Sequence, residues 1–270
     1  MSDDPVVIRE GAILDIEQGS RAWFEARMGI VTASDVWKVS AFMKVNRGEK
    51  KVGDETQARL DYKLDKVCEM LTGKFSEHYK TYWMERGTRM EPEARRAYES
   101  FMEIDVDRVG FVLHPTFPRF GASPDCLVDD EGLAEFKCPK DRTHYDYFTA
   151  GVIPPAYIPQ MTAQLACTGR QWCDFVSYCP SFEGPAQLFI RRLERNEKAI
   201  AQMEKDVERF IAEVDVLHQQ FREKIGQPGE VNFEKVLKES IRRAQTRRKL
   251  EHEREEMPDE LFITDGDINL

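Results

Sequence analysis

Ser123-Pro124-Asp125-Cys126-Leu127-Val128-Asp129-Asp130-Glu131-Gly132-Leu133-Ala134-Glu135-Phe136-Lys137 is the stretch from which both the fold and the chemistry follow. Two apolar runs, Asp125–Val128 and Leu133–Lys137, flank the turn signal Asp129-Asp130-Glu131-Gly132, which predicts an antiparallel hairpin. Pairing across so short a turn sets Asp125 opposite or nearly opposite Glu135. Residues two apart on a strand share a face, so Glu135 and Lys137 stand side by side. Local folding thus gathers two carboxylates and an ammonium at one end of a hairpin. Two carboxylates suit a hard cation such as Mg²⁺, which keeps several of its waters. Such a cation polarises a phosphate and lowers the pKa of bound water, while a lysine orients or deprotonates that water and offsets developing charge. This is the equipment of phosphodiester hydrolysis. The same spacing also occurs by chance on exposed strands, where the charges are merely solvated. The apolar neighbours argue otherwise, because carboxylates in buried strands are costly unless paired or bound to a cation.

Outward from the hairpin, Val109–Leu113 and Arg119–Ala122 read as strands before it. A helix at Pro159–Thr168, closed by Gly169, follows it, then strands near Asp174–Cys179 and Gln187–Arg191. Upstream, Ser20 caps a helix to Met28, and Thr32-Ala33-Ser34-Asp35 reads as a capping box opening another. Residues 43–57 form a polar, basic loop. Leu60, Leu64, Val67 and Leu71 mark the apolar face of a helix that Gly73 ends, and Met90, Ala94, Ala97, Tyr98 and Phe101 mark a second. Pro92 inside that second helix predicts a kink or a fresh start. The order gives an α/β or α+β fold, a central mixed sheet flanked by helices.

Farther on, Ile200, Met203, Val207, Phe210, Val214, Leu217 and Phe221 form a narrow helical seam. It fits a long helix packed on its own domain or one meeting a neighbouring subunit. Gly226-Gln227-Pro228-Gly229 breaks the chain, dividing a domain of residues 1–225 from a segment of residues 226–270. That segment predicts an amphipathic helix from Phe233 to about Arg254 and an acidic tail that is partner-binding or disordered.

The 270 residues carry a formal net charge of −10, which excludes a protein that coats DNA non-specifically but not one with a local basic channel. No run is long and apolar enough for a membrane span. The N-terminus lacks the pattern of a secretion signal, so a cytoplasmic location is expected. Six cysteines form no C-x-x-C pair. Their spacing fits neither zinc ribbons nor iron–sulfur runs, and buried free thiols are expected.

Glu91, beside the apolar face of its helix, is the candidate third carboxylate; alone it reads equally as a solvated glutamate. Ser34, in the first turn of its helix, sits where free N–H groups favour an anion. Arg27 offers a bidentate fork to a phosphate. A capping serine and a surface arginine are the plainer alternatives.

Five blocks then align in order. They are Glu17 through Trp23 with Arg27 through Ser34, Gly87 through Arg95, the Ser123-Pro124-Asp125 hairpin, Glu135 through Pro139, and Ala156 through Gln160. Together they closely resemble the family of phage lambda exonuclease and the YqaJ-type viral recombinases, over roughly residues 15 to 215. The resemblance implies the restriction-endonuclease-like fold with a PD-(D/E)xK core and, here, a C-terminal helical extension. It implies a phage- or prophage-encoded, Mg²⁺-dependent 5′→3′ exodeoxyribonuclease in which Mn²⁺ substitutes, with two cations per site. Such an enzyme degrades the 5′ strand of linear double-stranded DNA to 5′-mononucleotides and leaves 3′ overhangs for single-strand annealing. A ring-shaped homotrimer and a single-strand annealing protein as partner are also implied. By position, Glu91, Asp125 and Glu135 become metal ligands and Lys137 the water-positioning lysine. Arg27, Ser34, Ser123 and Gln160 hold the 5′-phosphate, with Gln164 one turn on as an alternative to Gln160, and Met84 falls where a strand-splitting wedge sits. Residues after about 225 depart from the family. The rival readings are a structure-specific endonuclease or resolvase of the same fold, and a non-catalytic module that binds DNA ends. An iron–sulfur nuclease is disfavoured by the cysteine spacing.

Overall fold

A computed structural model describes residues 13–45, 48, 51–75 and 82–225, and for residues 13, 14, 82–85, 87 and 88 the backbone alone. The chain divides into two units, Met1–His218 and Gln219–Leu270. All described strands lie in the first. The expected helix beyond residue 226, the acidic tail and the side chain of Met84 lie outside the described residues.

The hairpin forms as its turn requires. Strand β6 (Cys126–Val128) pairs antiparallel with β7 (Gly132–Lys137) in the register Cys126–Ala134, and Asp129 takes the left-handed conformation at φ 44°. Strand β8 (Trp172–Tyr178) then lies parallel to β7, and β9 (Leu188–Glu194) antiparallel to β8. A parallel neighbour demands a long crossover. Helices α4 (Asp141–Ala150) and α5 (Ile158–Thr168) supply it, each ending on a left-handed glycine, Gly151 and Gly169. Helix α4 has no counterpart in the sequence reading. Strand β3 (Val106–Asp107) completes the five-stranded order β3-β6-β7-β8-β9. A smaller sheet, in the order β1-β4-β5-β2, joins β1 (Ile13–Leu14), β4 (Phe111–Leu113), β5 (Phe120–Ala122) and β2 (Val31–Thr32). The expected mixed sheet flanked by helices is present, as two sheets.

Both faces of the larger sheet are covered. Ala134, Phe136, Val176 and Tyr178 pack against Ala94 and Tyr98 of α3 (Tyr82–Met102). Leu133, Cys173, Phe175 and Phe189 pack against Met161 and Leu165 of α5. Ile200, Val207, Phe210 and Val214 of α6 (Glu197–Ile225) join that second core. Within the first unit the seam therefore serves the domain's own packing. β7, buried on both faces, is the strand that carries Glu135 and Lys137.

Several local expectations are corrected. Helix α3 runs continuously through Pro92, which removes the fresh start and leaves the kink as the remaining alternative. Thr32 opens a six-residue 3₁₀ helix, Ala33–Lys38, without a side-chain cap; its hydroxyl lies 3.3 Å from Ser34 Oγ instead. Helix α1 is short (Arg21–Ala26), with Ser20 Oγ accepting from Trp23 N at 3.2 Å. Helix α2 (Gln57–Thr72) leaves Leu64 exposed and buries Arg59, Tyr62, Lys63, Lys66, Val67 and Glu69. Its charges are inside because each finds a partner. Arg59 forks onto Glu213 of α6 at 2.8 and 3.0 Å, Lys63 reaches Glu55 and Glu213, and Lys66 meets Glu69 at 2.9 Å. All six cysteines are free, but Cys68 is exposed and Cys138 only half-buried.

Candidate active site

Continuing the β6–β7 register sets Asp125 opposite Glu135, and Asp125 Oδ2 accepts from the Phe136 amide at 2.6 Å. Glu135, 2% exposed, points to the α5 side of β7. Its Oε1 receives the Lys137 ammonium and the Gln160 amide, the latter at 2.6 Å, and its Oε2 receives the amide of Gln164. Gln160 and Gln164 are one turn apart on α5, so both reach the same strand. Lys137 also lies 5.1 Å over the ring of Tyr157 and 3.5 Å from Gln160 Oε1. At the far end of β7, Arg86 of α3 donates to the carbonyls of Cys138 and Pro139 at 2.9 and 3.0 Å. The helix carrying Glu91 is thereby clamped to the strand carrying Lys137. Gln18 donates to the Pro124 carbonyl at 2.9 Å and so fixes the approach to Asp125.

Electrostatics mark the centre as cation-hungry. Burial, then the charges of Glu135 and Glu91, push the Asp125 carboxyl well above the usual carboxylate range; Lys137 and the Phe136 amide act the other way. Burial and Glu135 raise Glu91 as well, opposed by Arg108, Lys137 and Arg95. Burial works against the Lys137 ammonium, but Glu135 and Asp125 outweigh it and hold its pKa above the ordinary lysine value. Oxygen donors that repel one another at close quarters are what a hard divalent cation relieves. The residues present therefore fit Mg²⁺. Among the described residues, however, no three acidic, histidine or cysteine side chains converge closely enough to hold a metal. Glu135 is instead turned to its lysine and two amides.

Arg27, Ser34, Ser123 and Gln160, far apart in sequence, line one cavity of about 70 Å³ with Gln18, Trp23, Thr32 and Ala33. Arg27 lies flat over the Trp23 ring, with its Cζ 3.7 Å from the centroid, and Trp23 Nε1 donates to Ser123 Oγ at 2.8 Å. The Arg27 Nε is buried without a hydrogen-bond partner. Burial lowers the Arg27 pKa to about 10, against the charges of Asp35, Tyr62 and Glu69. A buried cationic donor left open is expensive, and a bound anion would satisfy it. Ser34 contributes a hydroxyl here; six residues of 3₁₀ helix supply little dipole. A larger cleft of about 1240 Å³ runs alongside, lined by Arg27, Ser34, Glu91, Arg95, Arg108 and Asp125 among others.

Trp23, Gln18, Tyr157 and Arg86 carry no functional signal in the sequence. Their contributions are contacts across 20 to about 100 residues, for which no local pattern exists. Gln164, named only as an alternative to Gln160, is a direct partner of Glu135, and its spacing of four from Gln160 was the available signal.

Residues 22–171 match the model of the YqaJ-like viral recombinase domain. Among solved structures, an alkaline exonuclease (LHK-Exo) from Laribacter hongkongensis is 40% identical with a TM-score of 0.68, over 76% of this chain and 97% of that one. The same enzyme in complex with dAMP gives the same figures. A phage-related exonuclease from Haemophilus somnus 129PT is 12% identical with a TM-score of 0.54, over 72% and 96%, a likeness of fold alone. Among curated proteins none matches the sequence.

Proposed function

Because the chain belongs to the YqaJ-like viral recombinase domain family, we propose that it is a recombination nuclease, a Mg²⁺-dependent 5′→3′ exonuclease of linear duplex DNA. The observation that carries this reading is the sharing of Gln160. One residue both lines the Arg27–Ser34–Ser123 cavity and bonds Glu135 of the carboxylate–lysine centre. A terminal phosphate held by Arg27, Ser34, Ser123 and Gln160 would bring the adjoining linkage to the cutting centre, as a 5′-end-dependent enzyme requires.

Asp125, Glu135 and Glu91 are the residues that would hold Mg²⁺, or Mn²⁺ in its place, with two cations per site as in the family resemblance. When bound, it supplies Lewis-acid polarisation of the scissile phosphate and a water of lowered pKa. Lys137, beside Glu135, orients or deprotonates the attacking water and offsets charge on the phosphorane. Arg27 on its Trp23 platform clamps the 5′-phosphate with a planar fork. Fixing the end and the scissile linkage together is an orientation effect. A homotrimer around the duplex, an annealing protein on the exposed 3′ strand, and work in the host cytoplasm complete the proposal. No helix among the described residues is long and apolar enough to cross a membrane.

The test is digestion of 5′-phosphorylated linear duplex and of covalently closed circular duplex with Mg²⁺. The expected result is 5′-mononucleotides from the 5′ strand of the linear substrate, an intact circle, and no reaction with chelator. Cutting of the circle would favour an endonuclease, and consumption of the 3′ strand would overturn the polarity.

A further inference from the structure

Glu135 presents neither carboxylate oxygen free. Oε1 takes Lys137 and Gln160, Oε2 takes Gln164, and among the described residues no metal-holding cluster forms. Gln164 is wholly buried, whereas Gln160 is half-buried and belongs to the wall of the Arg27 cavity. Resting on the exonuclease reading, we propose that Gln160 is an exchangeable latch: a 5′-phosphate in the cavity takes its amide from Glu135 and thereby readies Glu135 for the cation.

The exchange is balanced in hydrogen bonds. The Gln160 amide donates to an anionic oxygen in both states, first a carboxylate and then a phosphate, so one charge-assisted bond replaces another. Arg27, whose Nε has no partner, gains one as the phosphate enters, which tips the exchange toward the occupied state. Glu135 Oε1 then faces only Lys137. Gln160 is a positioning residue in this scheme, and it sets specificity: an end lacking the phosphate leaves the latch on Glu135. Linkage makes the effect reciprocal, so cation binding must also tighten the hold on a 5′-phosphate.

The measurement is Mn²⁺ affinity by electron paramagnetic resonance on the full chain, with duplexes whose terminal linkages resist hydrolysis. One duplex is 5′-phosphorylated and the other 5′-hydroxylated. Wild type should bind Mn²⁺ about tenfold or more tightly with the phosphorylated duplex, the scale of one hydrogen bond to a charged group. In Gln160→Met, affinity without DNA should rise and most of the dependence on the phosphate should vanish. Only the direct attraction between phosphate and cation then remains. Gln164→Met, which frees Oε2 but does not touch the cavity, should keep the dependence. Gln160→Asn, a methylene too short for Glu135, should behave as Gln160→Met and replaces it if that variant does not fold. Equal wild-type affinities with the two duplexes, or a full phosphate effect surviving in the Gln160 variants, would overturn the latch. Absence of Mn²⁺ binding under every condition would instead overturn the nuclease reading on which it rests.

Discussion

Lys137 sits at the meeting point of the site's carboxylates. Its ammonium pairs with Glu135 and lies over Tyr157, and the charges of Glu135 and Asp125 raise its pKa. Lys137→Ala should therefore abolish cleavage, by about 10²–10³-fold or more as for loss of a transition-state donor. DNA-end binding measured by fluorescence anisotropy should stay within a few-fold of wild type. Residual single-turnover cleavage close to wild type would remove Lys137 from the mechanism. Arg27 makes the contrasting case. With its guanidinium on Trp23 and its Nε open, Arg27→Ala should cost about 1.5–3 kcal/mol on 5′-phosphorylated ends and much less on 5′-hydroxyl ends. Equal losses on both would make Arg27 a scaffold residue. These two side chains also mark how far sequence alone reaches. The meeting of Asp125, Glu135 and Lys137 follows from strand alternation and turn length, so it is legible. The convergence of Arg27, Ser34, Ser123 and Gln160 is not, because tertiary structure alone brings them together; residue chemistry points to Arg27 and Ser34 one at a time, and only the resemblance adds Ser123 and Gln160.

At the level of elements, the hairpin depends on a missing side chain. Gly132, read from sequence as part of the turn, is the first residue of β7 and pairs with Trp172 of β8. A Cβ there would stand 2.1 Å from the Trp172 ring. That ring also carries the Arg192 guanidinium at 3.4 Å, and Arg192 in turn holds the buried Asp174 carboxylate, which accepts from Tyr98 of α3 as well. Gly132→Ala should therefore destabilise the protein by about 1–3 kcal/mol, the usual cost of overfilling a packed site, and lower Tm accordingly. Combining it with Trp172→Leu should recover part of that loss if the ring is the obstacle; simple additivity would mean the backbone of the turn is at fault. Two elements differ from the sequence expectation for separate physical reasons. Helix α2 was oriented by its leucines, yet its buried face is set by paired charges reaching Glu55, Glu213 and Gly29, which hydrophobic periodicity does not register. Pro92 lies inside α3 because tertiary packing of Ala94 and Tyr98 on the sheet overrides its helix-breaking tendency.

For the whole molecule, the acidic total of −10 is not spread evenly: one cleft is lined by Arg21, Arg27, Lys74, Arg95 and Arg108 together with Glu25, Asp35, Glu91 and Asp125. At physiological salt the field decays over about 8 Å, so a strand bound there, as proposed, would meet these local groups and not the distant acidic surface. Assembly is the next level, and a homotrimer should scatter light as three times the 31.4 kDa chain; a monomer mass at micromolar concentration would refute it. The C-terminal segment is a separate proposal, because it lies beyond the residues that match the family. Arg242, Arg243, Arg247, Arg248 and Lys249 form a basic run. Asp259, Glu260, Asp265 and Asp267, interspersed with Leu261, Phe262, Ile263 and Ile268, form an acidic and apolar one. A short acidic stretch with large apolar residues has too little apolar surface to make a core of its own. It does have enough to anchor on a partner that offers a groove and opposite charge. The single-strand annealing protein of the proposed function is the partner to test. Deleting residues 258–270 should accordingly leave the rate of linear-duplex degradation unchanged, since no catalytic or phosphate-pocket candidate lies there. The same deletion should weaken co-purification with the annealing protein, and restoring the charges without the apolar residues should not rescue it. Equal recovery of the annealing protein by truncated and full-length chains would place the docking surface elsewhere, whereas a loss of nuclease activity would show that the tail belongs to the enzyme itself.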